Sequence, residues 1–314
     1  MSRIFVNLKR FDVPRHLGGI CPKDDPKDWI EETIRKSIEL GLGSTTDSQV
    51  VYFLPESLIL PAIHALQVFP ESERRNLRIG CQGVFRDDIA PGGNFGAFTS
   101  NLPATAAKNM GATWCMIGHS EERKDKLGIL AAYEPAIETG GESRARALGV
   151  VNELTNAEAL RAVQAGLNVL FCLGETEEER GEGPFEIQKP RVEKALRSQV
   201  EVGLAGLDAY LENCAVAIGY EPIWAIGPGK TPPGAEYVDF VASFIKNTTQ
   251  SVHGFVPPVV YGGGLKKENA AMMGEIGSLS GGLVALTKFT QPVGFDVGEF
   301  KTIVDTYNAA GDRR

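Results

Sequence analysis

Short apolar runs recur along the whole chain and alternate with segments whose apolar residues return every three or four positions. Each run has the length of a buried strand, and the intervening segments have the spacing of amphipathic helices. The eight runs span residues 4–6, 50–54, 77–81, 114–117, 169–173, 215–220, 259–261 and 282–286. Continuous apolar strands that alternate with helices predict a parallel sheet whose faces are covered by helices.

The segment after the first run shows the helix signals most completely. Ile30, Ile34 and Ile38 fall on one helical face. Asp28 precedes this face, Glu31 stands three positions after Asp28, and Gly41 follows the last isoleucine. This pattern predicts a helix that begins at Asp28 and ends before Gly41.

Eight strand and helix units predict an α/β fold, a (β/α)8 TIM barrel that forms a single domain over residues 1–314. An open, doubly wound sheet is the structural alternative, but the Gly-x-Gly-x-x-Gly turn of a dinucleotide fold is missing after the first strand. In a barrel the chemistry lies at the carboxyl ends of the strands, so the polar residues that follow each run are the candidates.

Composition and charge argue against several function classes. Hydrophobic residues make up 43% and charged residues 23% of the chain, which is typical of a soluble globular protein. The formal net charge of −8 argues against nucleic acid or an anionic membrane surface as a partner. Five widely spaced cysteines and four scattered histidines indicate buried thiols and no metal site. Without a leader or a long apolar stretch, we expect a cytoplasmic protein that spans no membrane.

Polar residues follow the first and the fourth strand. Asn7 and Lys9 point to the same side, where the lysine would place a fixed cation in the barrel mouth. His119 lies between the fourth strand and a predicted helix, whose dipole would keep the imidazole neutral. Taken alone, these residues are also compatible with a solvated lysine and a hydrogen-bonded structural histidine.

A carboxylate and an unusual loop follow the sixth strand. Glu221 ends an apolar strand, where poor solvation would raise its pKa and make it a candidate general base. The segment behind it is bounded by prolines and glycines but carries Ile223, Trp224 and Ile226. An apolar loop with stiff ends predicts a lid that closes over a ligand and excludes water. The alternative is a loop that packs permanently on the rim.

Residues suited to binding phosphate follow the last two strands. The glycines at 262–264 precede a helix predicted to begin near Lys266, so backbone N–H groups and a helix dipole would face an anion. At the end of the eighth strand, Leu286 and Thr287 offer an N–H pair but no glycine.

Five motifs follow one another along the chain: Asn7-x-Lys9, Ile117-Gly-His119-Ser-Glu121, Cys172-Leu-Gly-Glu175, Tyr220-Glu221-Pro-Ile-Trp-Ala-Ile-Gly227-x-Gly-Lys230 and Tyr261-Gly-Gly263. In this order they resemble the triosephosphate isomerase family, from the first strand to the eighth. The resemblance implies an intramolecular isomerase that interconverts glyceraldehyde 3-phosphate and dihydroxyacetone phosphate in glycolysis and gluconeogenesis, without a cofactor or metal. Residues 96–99 resemble the family's interlocking loop, which implies a homodimer or a higher homo-oligomer.

The resemblance also implies roles for individual residues. Glu221 would remove the proton next to a carbonyl, neutral His119 would polarise that carbonyl, and Lys9 would stabilise negative charge. Asn7 would position the reacting carbons, and Glu121 would hold this neighbourhood together through polar contacts. The implied phosphate ligands are Gly227, Gly263, Gly264, Leu286 and Thr287.

Two further contacts and four departures concern the lid and the phosphate. Glu175 would steady Trp224 when the lid is open, and Tyr261 would hold the closed lid. The family usually has serine where this chain has Gly264, and a Gly-Gly pair where it has Leu286-Thr287. It also usually has arginine at the position of Glu122 and threonine at the position of Pro228. Because the first two departures alter the phosphate ligands, the phosphate is expected to bind differently.

The chain is longer than the roughly 250 residues typical of such a barrel, with extra length near 11–27, 85–94 and 124–155. We expect these insertions to reshape the substrate pocket or the assembly and to leave the proton-transfer residues intact. One functional alternative is an isomerase of a four-carbon ketose phosphate, erythrulose phosphate. A non-catalytic phosphate-sugar binder is another, although such a binder needs no base beside a neutral histidine.

Overall fold

The computed structural model describes residues 1–227 and 229–312, and its eight strands form a closed parallel barrel in chain order. The strands are β1 (Ser2–Asn7), β2 (Ser48–Leu54), β3 (Leu77–Cys81), β4 (Trp114–Ile117), β5 (Asn168–Leu173), β6 (Val216–Tyr220), β7 (Val259–Tyr261) and β8 (Gly281–Val284). Pairing of β8 with β1 closes the ring, and the predicted barrel is confirmed. The eighth predicted strand was too long, because β8 ends at Val284 and leaves Leu286 and Thr287 in the following loop.

Helices cover the strands at almost every connection. They are α1 (Pro26–Glu39), α2 (Glu56–Gln67), α3 (Glu71–Arg74), α4 (Ala104–Asn109), α5 (Ser120–Tyr133), α6 (Gly141–Gln164), α7 (Glu177–Arg180), α8 (Phe185–Gly203), α9 (Ala235–His253), α10 (Ala270–Glu275) and α11 (Val297–Gly311). Within the described residues, no helix combines the length and the apolar character needed to cross a membrane.

Aromatic rings from three strands pack against one another in the core. The ring centroids of Phe5 and Phe53 are 5.6 Å apart, and Trp114 meets Phe5 edge-on at 5.1 Å. Gly80 on β3 makes room for them, since a Cβ atom there would lie 2.7 Å from the ring of Phe53. A side chain at this glycine would therefore displace an aromatic ring of the core.

The chain divides into two compact units. The first comprises residues 1–82, 106–115 and 259–314, and the second comprises residues 83–105 and 116–258. The first contains β1, β2, β3, β7 and β8, the second contains β5 and β6, and β4 belongs to both. The single domain over residues 1–314 stays a prediction.

Two of the three predicted insertions contain local structure of their own. In the segment 11–27, Phe11 stacks on Trp29 with ring centroids 4.3 Å apart. The segment 124–155 forms most of α5, a short 3-10 helix and the first half of α6. These three elements share a small buried apolar cluster made of Ala131, Ile137 and Ala147.

Helix α1 does not begin where the sequence pattern predicted. Its N-cap is Asp25, three residues before Asp28, and the Asp25 carboxylate accepts a hydrogen bond from the Lys27 amide at 2.9 Å. Pro26 occupies the first helical position, where no amide donor is needed. The prediction of Asp28 as the start was wrong because an aspartate followed by proline is the stronger start signal.

Replacing Asp25 with alanine should lower the free energy of unfolding by about 1 kcal/mol, because the Lys27 amide loses its acceptor. Asp28→Ala is the matched control, and it should cost about 0.3 kcal/mol because it removes only an exposed charge near the helix N-terminus. Urea denaturation of both variants and the wild type measures the two values. A larger loss for Asp28→Ala would contradict the assignment of the cap.

Candidate active site

His119 and Glu221 meet just beyond the carboxyl ends of β4 and β6. The imidazole Nε2 of His119 lies 3.2 Å from Glu221 Oε1. Glu221 is buried, with 2% of its surface exposed. A carboxylate and an imidazole at hydrogen-bond distance in a poorly solvated place are suited to exchanging protons with one ligand. The two predicted proton-transfer groups are therefore neighbours.

The loop that carries His119 has no room for a side chain at the preceding residue. Gly118 has a φ of +76°, and a Cβ atom there would lie 2.7 Å from the carbonyl oxygen of Cys172. Glycine adopts this backbone conformation without steric cost. The chain can therefore turn directly into α5, with His119 as the N-cap residue.

The cap geometry indicates which nitrogen of His119 carries the proton. Nδ1 lies 3.3 Å from the Glu121 amide and accepts a hydrogen bond from it. The proton of a neutral imidazole is therefore assigned to Nε2, which faces Glu221. The side chain of Glu121 is 75% exposed, with Oε2 3.9 Å from Nδ1, so its closest contact to the histidine is through its backbone.

Ser120 and the backbone of β5 fix the position of Glu221. The Ser120 amide donates to Glu221 Oε2 at 2.9 Å, and its hydroxyl lies 3.5 Å from Oε1. The Glu221 amide donates to the carbonyl of Leu173 at 2.8 Å. Gly174 approaches so closely that a Cβ atom there would lie 1.7 Å from the carbonyl oxygen of Glu221. Ser120 was not among the predicted site residues, although its place directly after His119 was a signal.

Arg123 supports the same loop and was also missed by sequence analysis. Its Nε donates to the Gly118 carbonyl at 2.8 Å, Nη1 to Asn152 Oδ1 at 2.8 Å, and Nη2 to the Cys172 carbonyl at 3.1 Å. Burial lowers the pKa of this guanidinium, but arginine keeps its charge in proteins. Arg123 therefore links the ends of β4 and β5 to α6.

The predicted lid begins with a short 3-10 helix, Ile223–Ala225, that is tied to a buried carboxylate. Trp224 Nε1 donates to Glu175 Oε1 at 2.7 Å, which is the contact that the sequence predicts for an open lid. The hydroxyls of Tyr220 and Tyr237 donate to the same oxygen at 3.0 and 2.7 Å. Burial raises the pKa of Glu175, and these hydrogen bonds oppose the shift.

The tip of the lid is exposed. Ile226 and Gly227 lie in solvent, and Gly227 has a φ of +120°. Pro228, where the family usually has threonine, lies outside the described residues. An exposed isoleucine at the tip provides apolar surface that closure of the lid can bury.

Asn7 and Lys9 form a hydrogen-bonded group at the end of β1. Asn7 Oδ1 accepts hydrogen bonds from the Lys9 amide and from Gln82 Nε2, each at 3.0 Å. Lys9 has a φ of +36°, an unusual conformation that costs on the order of 1–3 kcal/mol and persists only where surrounding contacts fix it. Gln82 supplies such a contact by donating to the Lys9 carbonyl at 2.9 Å. Gln82 was not predicted, although it directly follows β3.

The predicted phosphate residues after β7 keep their amides but lack the predicted helix behind them. Helix α10 begins at Ala270, so the prediction of a helix that starts near Lys266 and directs its dipole at the glycines was wrong. Asn269 closes a turn instead: its Oδ1 accepts from the Lys266 amide at 2.8 Å, and its Nδ2 donates to the Gly264 carbonyl at 3.1 Å. The amides of Gly263 and Gly264 are the candidate donors that remain.

The pair Leu286 and Thr287 also differs from the expected arrangement. The Thr287 amide donates to the Gly294 carbonyl at 3.1 Å, and its Oγ1 accepts from the Asp296 amide at 2.7 Å. The loop after β8 therefore folds back on itself and uses one of the two predicted N–H groups. Of that pair, Leu286 is the residue whose amide stays a candidate for phosphate.

Glu122, which stands where the family usually has arginine, belongs to a partly buried charge cluster. Its Oε2 accepts from the Gly118 amide at 2.6 Å, and its Oε1 contacts Lys126 Nζ, which lies 2.9 Å from Glu158 Oε1. Burial and the neighbouring Glu122 raise the pKa of Glu158 to about 9. Burial alone would raise the pKa of Glu122, but Glu158, Lys126 and the Gly118 amide outweigh it and lower this pKa. The two carboxyl groups therefore keep one proton at neutral pH.

The contribution of Glu158 to stability should be lost as the pH rises. Its pKa is about 9 in the folded chain against an ordinary 4.5, so the folded state binds the proton more tightly and the benefit is complete only below pH 4.5. Glu158→Gln stays neutral and should flatten the fall in unfolding free energy between pH 5 and pH 9. The exposed Glu153→Gln on the same helix is the control. Urea midpoints across this range test the prediction, and an equal fall in all three proteins would contradict it.

Comparisons with known proteins agree with the geometry. A family profile described as Triosephosphate isomerase matches residues 42–291. Triosephosphate isomerase from Pelodictyon phaeoclathratiforme is 32% identical over 268 residues, covering 82% of this chain and 89% of the relative. L-erythrulose-1-phosphate isomerase from Rhizobium etli is 35% identical over 218 residues, covering 68% of this chain and 67% of the relative.

A solved structure shares the fold over nearly the whole chain. The crystal structure of triosephosphate isomerase from Bartonella henselae superposes with a TM-score of 0.64 and covers 98% of both chains. The sequence identity is 24%, so this similarity concerns the fold alone.

Proposed function

The chain belongs to the triosephosphate isomerase family, and from this premise we propose that it interconverts glyceraldehyde 3-phosphate and dihydroxyacetone phosphate through an enediolate. The observation that carries the proposal is the contact of 3.2 Å between His119 Nε2 and the buried Glu221 Oε1. The proposed reaction uses no cofactor or metal, because its proton donor and proton acceptor are both side chains.

Proton transfer follows from this pair. The Glu221 carboxylate removes the proton from the carbon next to the carbonyl, and the electrons of that C–H bond form the C=C bond of the enediolate. The carbonyl π electrons move to oxygen, where the Nε2–H of neutral His119 donates a hydrogen bond and then the proton. The imidazole recovers a proton from the neighbouring hydroxyl, and Glu221 returns its own to the adjacent carbon.

Lys9 and Asn7 complete the proposed catalytic group. The ammonium of Lys9 stabilises the negative charge of the enediolate, and Asn7 positions the reacting carbons. The strained backbone of Lys9 and its contact with Gln82 support this assignment, since strain of this kind is common at functional sites. Glu121 contributes through its amide, which fixes the orientation of His119.

Closure of the lid binds the phosphate and excludes water. The amides of Gly227, Gly263, Gly264 and Leu286 are the proposed phosphate donors. Tyr261 holds the closed lid in this proposal. Its hydroxyl is buried and has no hydrogen-bond partner within the described part of the chain, which supports a role that begins only on closure.

We also propose that the protein acts as a cytoplasmic homodimer in glycolysis and gluconeogenesis. Phe95, directly before the segment 96–99, is 93% exposed. Burying this ring against a second copy would remove a large apolar surface from water, which supports assembly through that loop.

The second candidate function is the isomerisation of a four-carbon ketose phosphate. Two observations favour it: the relative from Rhizobium etli named L-erythrulose-1-phosphate isomerase is 35% identical, and the Thr287 amide is bonded within its own loop. A phosphate loop rebuilt in this way changes the distance from the phosphate to the reacting carbons. A non-catalytic sugar-phosphate binder fits less well, because binding alone does not require a base in contact with an imidazole.

Glu221→Asp should lower kcat by about 100-fold, because shortening the side chain by one methylene moves the base by about 1 Å. Solvent deuterium exchange at the substrate's α-carbon, followed by NMR, should slow by the same factor. Glu182→Asp makes the same chemical change at an exposed loop position and should leave both rates unchanged. Equal rates for Glu221→Asp and wild type would remove Glu221 from its role.

A coupled assay should give a kcat/KM at least tenfold higher for glyceraldehyde 3-phosphate than for erythrulose phosphate, since a tenfold ratio is about 1.4 kcal/mol of transition-state binding. A preference in the opposite direction would replace the first candidate with the second. If neither compound is turned over and no deuterium exchange occurs, the results would favour a non-catalytic sugar-phosphate binder.

A further inference from the structure

A cavity of about 750 Å³ lies among α5, α6 and α8, within the second unit. Its lining contains Ser120 and Gly174 from the catalytic loops, together with Ile223 at the base of the lid. Many of the other lining residues belong to the predicted insertion at 124–155. The volume falls in the range of small-molecule sites, roughly 300–1,000 Å³. The extra length of this chain therefore builds the wall of a cavity.

Positive charge predominates on the walls, although the whole chain has a net charge of −8. The basic side chains are Arg123, Lys124, Arg144, Arg191 and Lys194, and the acidic ones are Glu121, Glu178 and Glu179. Glu178 pairs with Arg144 at 3.4 Å, and Glu179 accepts hydrogen bonds from Thr176 as part of a helix cap. The cavity thus has the charge to attract an anion.

Two cations on α8 are suited to bind such an anion together. Arg191 donates to the backbone carbonyls of Glu178 and Glu179 at 2.7 and 3.1 Å. Because these acceptors are uncharged carbonyl oxygens, the two bonds leave the positive charge of Arg191 uncompensated. Lys194 forms no ion pair with any residue that the structure describes. Because positions three apart share one face of a helix, both side chains can reach one phosphate group.

The lining also includes a group of apolar side chains. They are Leu127, Ala145, Leu148, Val151 and Ala195. A ligand that matches both features carries an anionic group and an apolar or aromatic body, whereas a triose phosphate has too little apolar surface. We propose that this cavity is a second binding site, for an organic phosphate with an apolar or aromatic body.

Residues of the catalytic loops that line the cavity connect this site to the proposed active site. Ser120 holds the carboxylate of Glu221. Gln199 accepts from the Gly174 amide at 3.1 Å and donates to its carbonyl at 2.8 Å. An occupant that binds more tightly to one position of the loops and the lid than to another would shift their equilibrium, and the proposal therefore extends to regulation of the isomerase. This regulatory part rests on the proposed isomerase function, and the binding part does not.

Isothermal titration of the full chain with ADP tests the binding part, because ADP carries both an aromatic body and phosphate. Pyrophosphate and adenosine each carry one of these features and should bind at least tenfold more weakly. Arg191→Met and Lys194→Met should each raise the Kd for ADP about tenfold. Arg197→Met is the matched control on α8: it lies outside the cavity, pairs with Glu201, and should leave the Kd unchanged.

Failure of ADP to bind at millimolar concentration would overturn the proposal. Unchanged affinity in both Arg191→Met and Lys194→Met would also overturn it, because ADP would then bind elsewhere. Glu221→Gln should bind ADP as the wild type does, so this measurement is independent of turnover. At saturation, ADP should lower kcat at least twofold in the wild type and not in the Arg191→Met, Lys194→Met double variant. An equal effect in both proteins would overturn the regulatory part.

Discussion

The close approach of backbone segments at the ends of β4, β5 and β6 is the constraint on which the proton-transfer pair depends. A Cβ atom at Gly118 would collide with the carbonyl of Cys172, and one at Gly174 would collide with the carbonyl of Glu221. Because both positions lack side chains, the loops that carry His119 and Glu221 can lie against one another. The contact between imidazole and carboxylate is a consequence of backbone packing and of the hydrogen bonds from Ser120.

Polar side chains from the surrounding helices hold this arrangement in place. Arg123 bonds to the Gly118 and Cys172 carbonyls, and α6 provides its partner Asn152. Glu122 accepts from the amide of Gly118, and its charge is compensated by Lys126. Buried polar groups of this kind are costly when any partner is missing, so they specify a single loop conformation only while the whole network is satisfied.

The segment 124–155, which the sequence predicts to be an insertion, lies around the candidate site and carries neither of the proposed proton-transfer residues. It supplies the helix that carries Asn152 and the wall of the cavity behind the loops. Its own apolar cluster of Ala131, Ile137 and Ala147 gives it an interior independent of the barrel. Loops run over the surface and tolerate added length, whereas the strand ends are confined by packing.

Local patterns in the sequence determined the barrel and the strands apart from the end of β8, since strand burial leaves a direct trace in residue order. The same patterns marked His119 and Glu221 as candidates at strand ends, and the family resemblance assigned the two residues to one reaction. The tertiary structure alone decided the roles of Gln82 and Arg123, because their partners at Lys9 and Cys172 are distant in sequence. It also decided which donors remain for a phosphate: α10 begins at Ala270 and so does not follow the glycines directly, and the Thr287 amide is bonded within its own loop. Hydrogen bonds between segments far apart in the chain depend on three-dimensional geometry, and residue order alone does not specify that geometry.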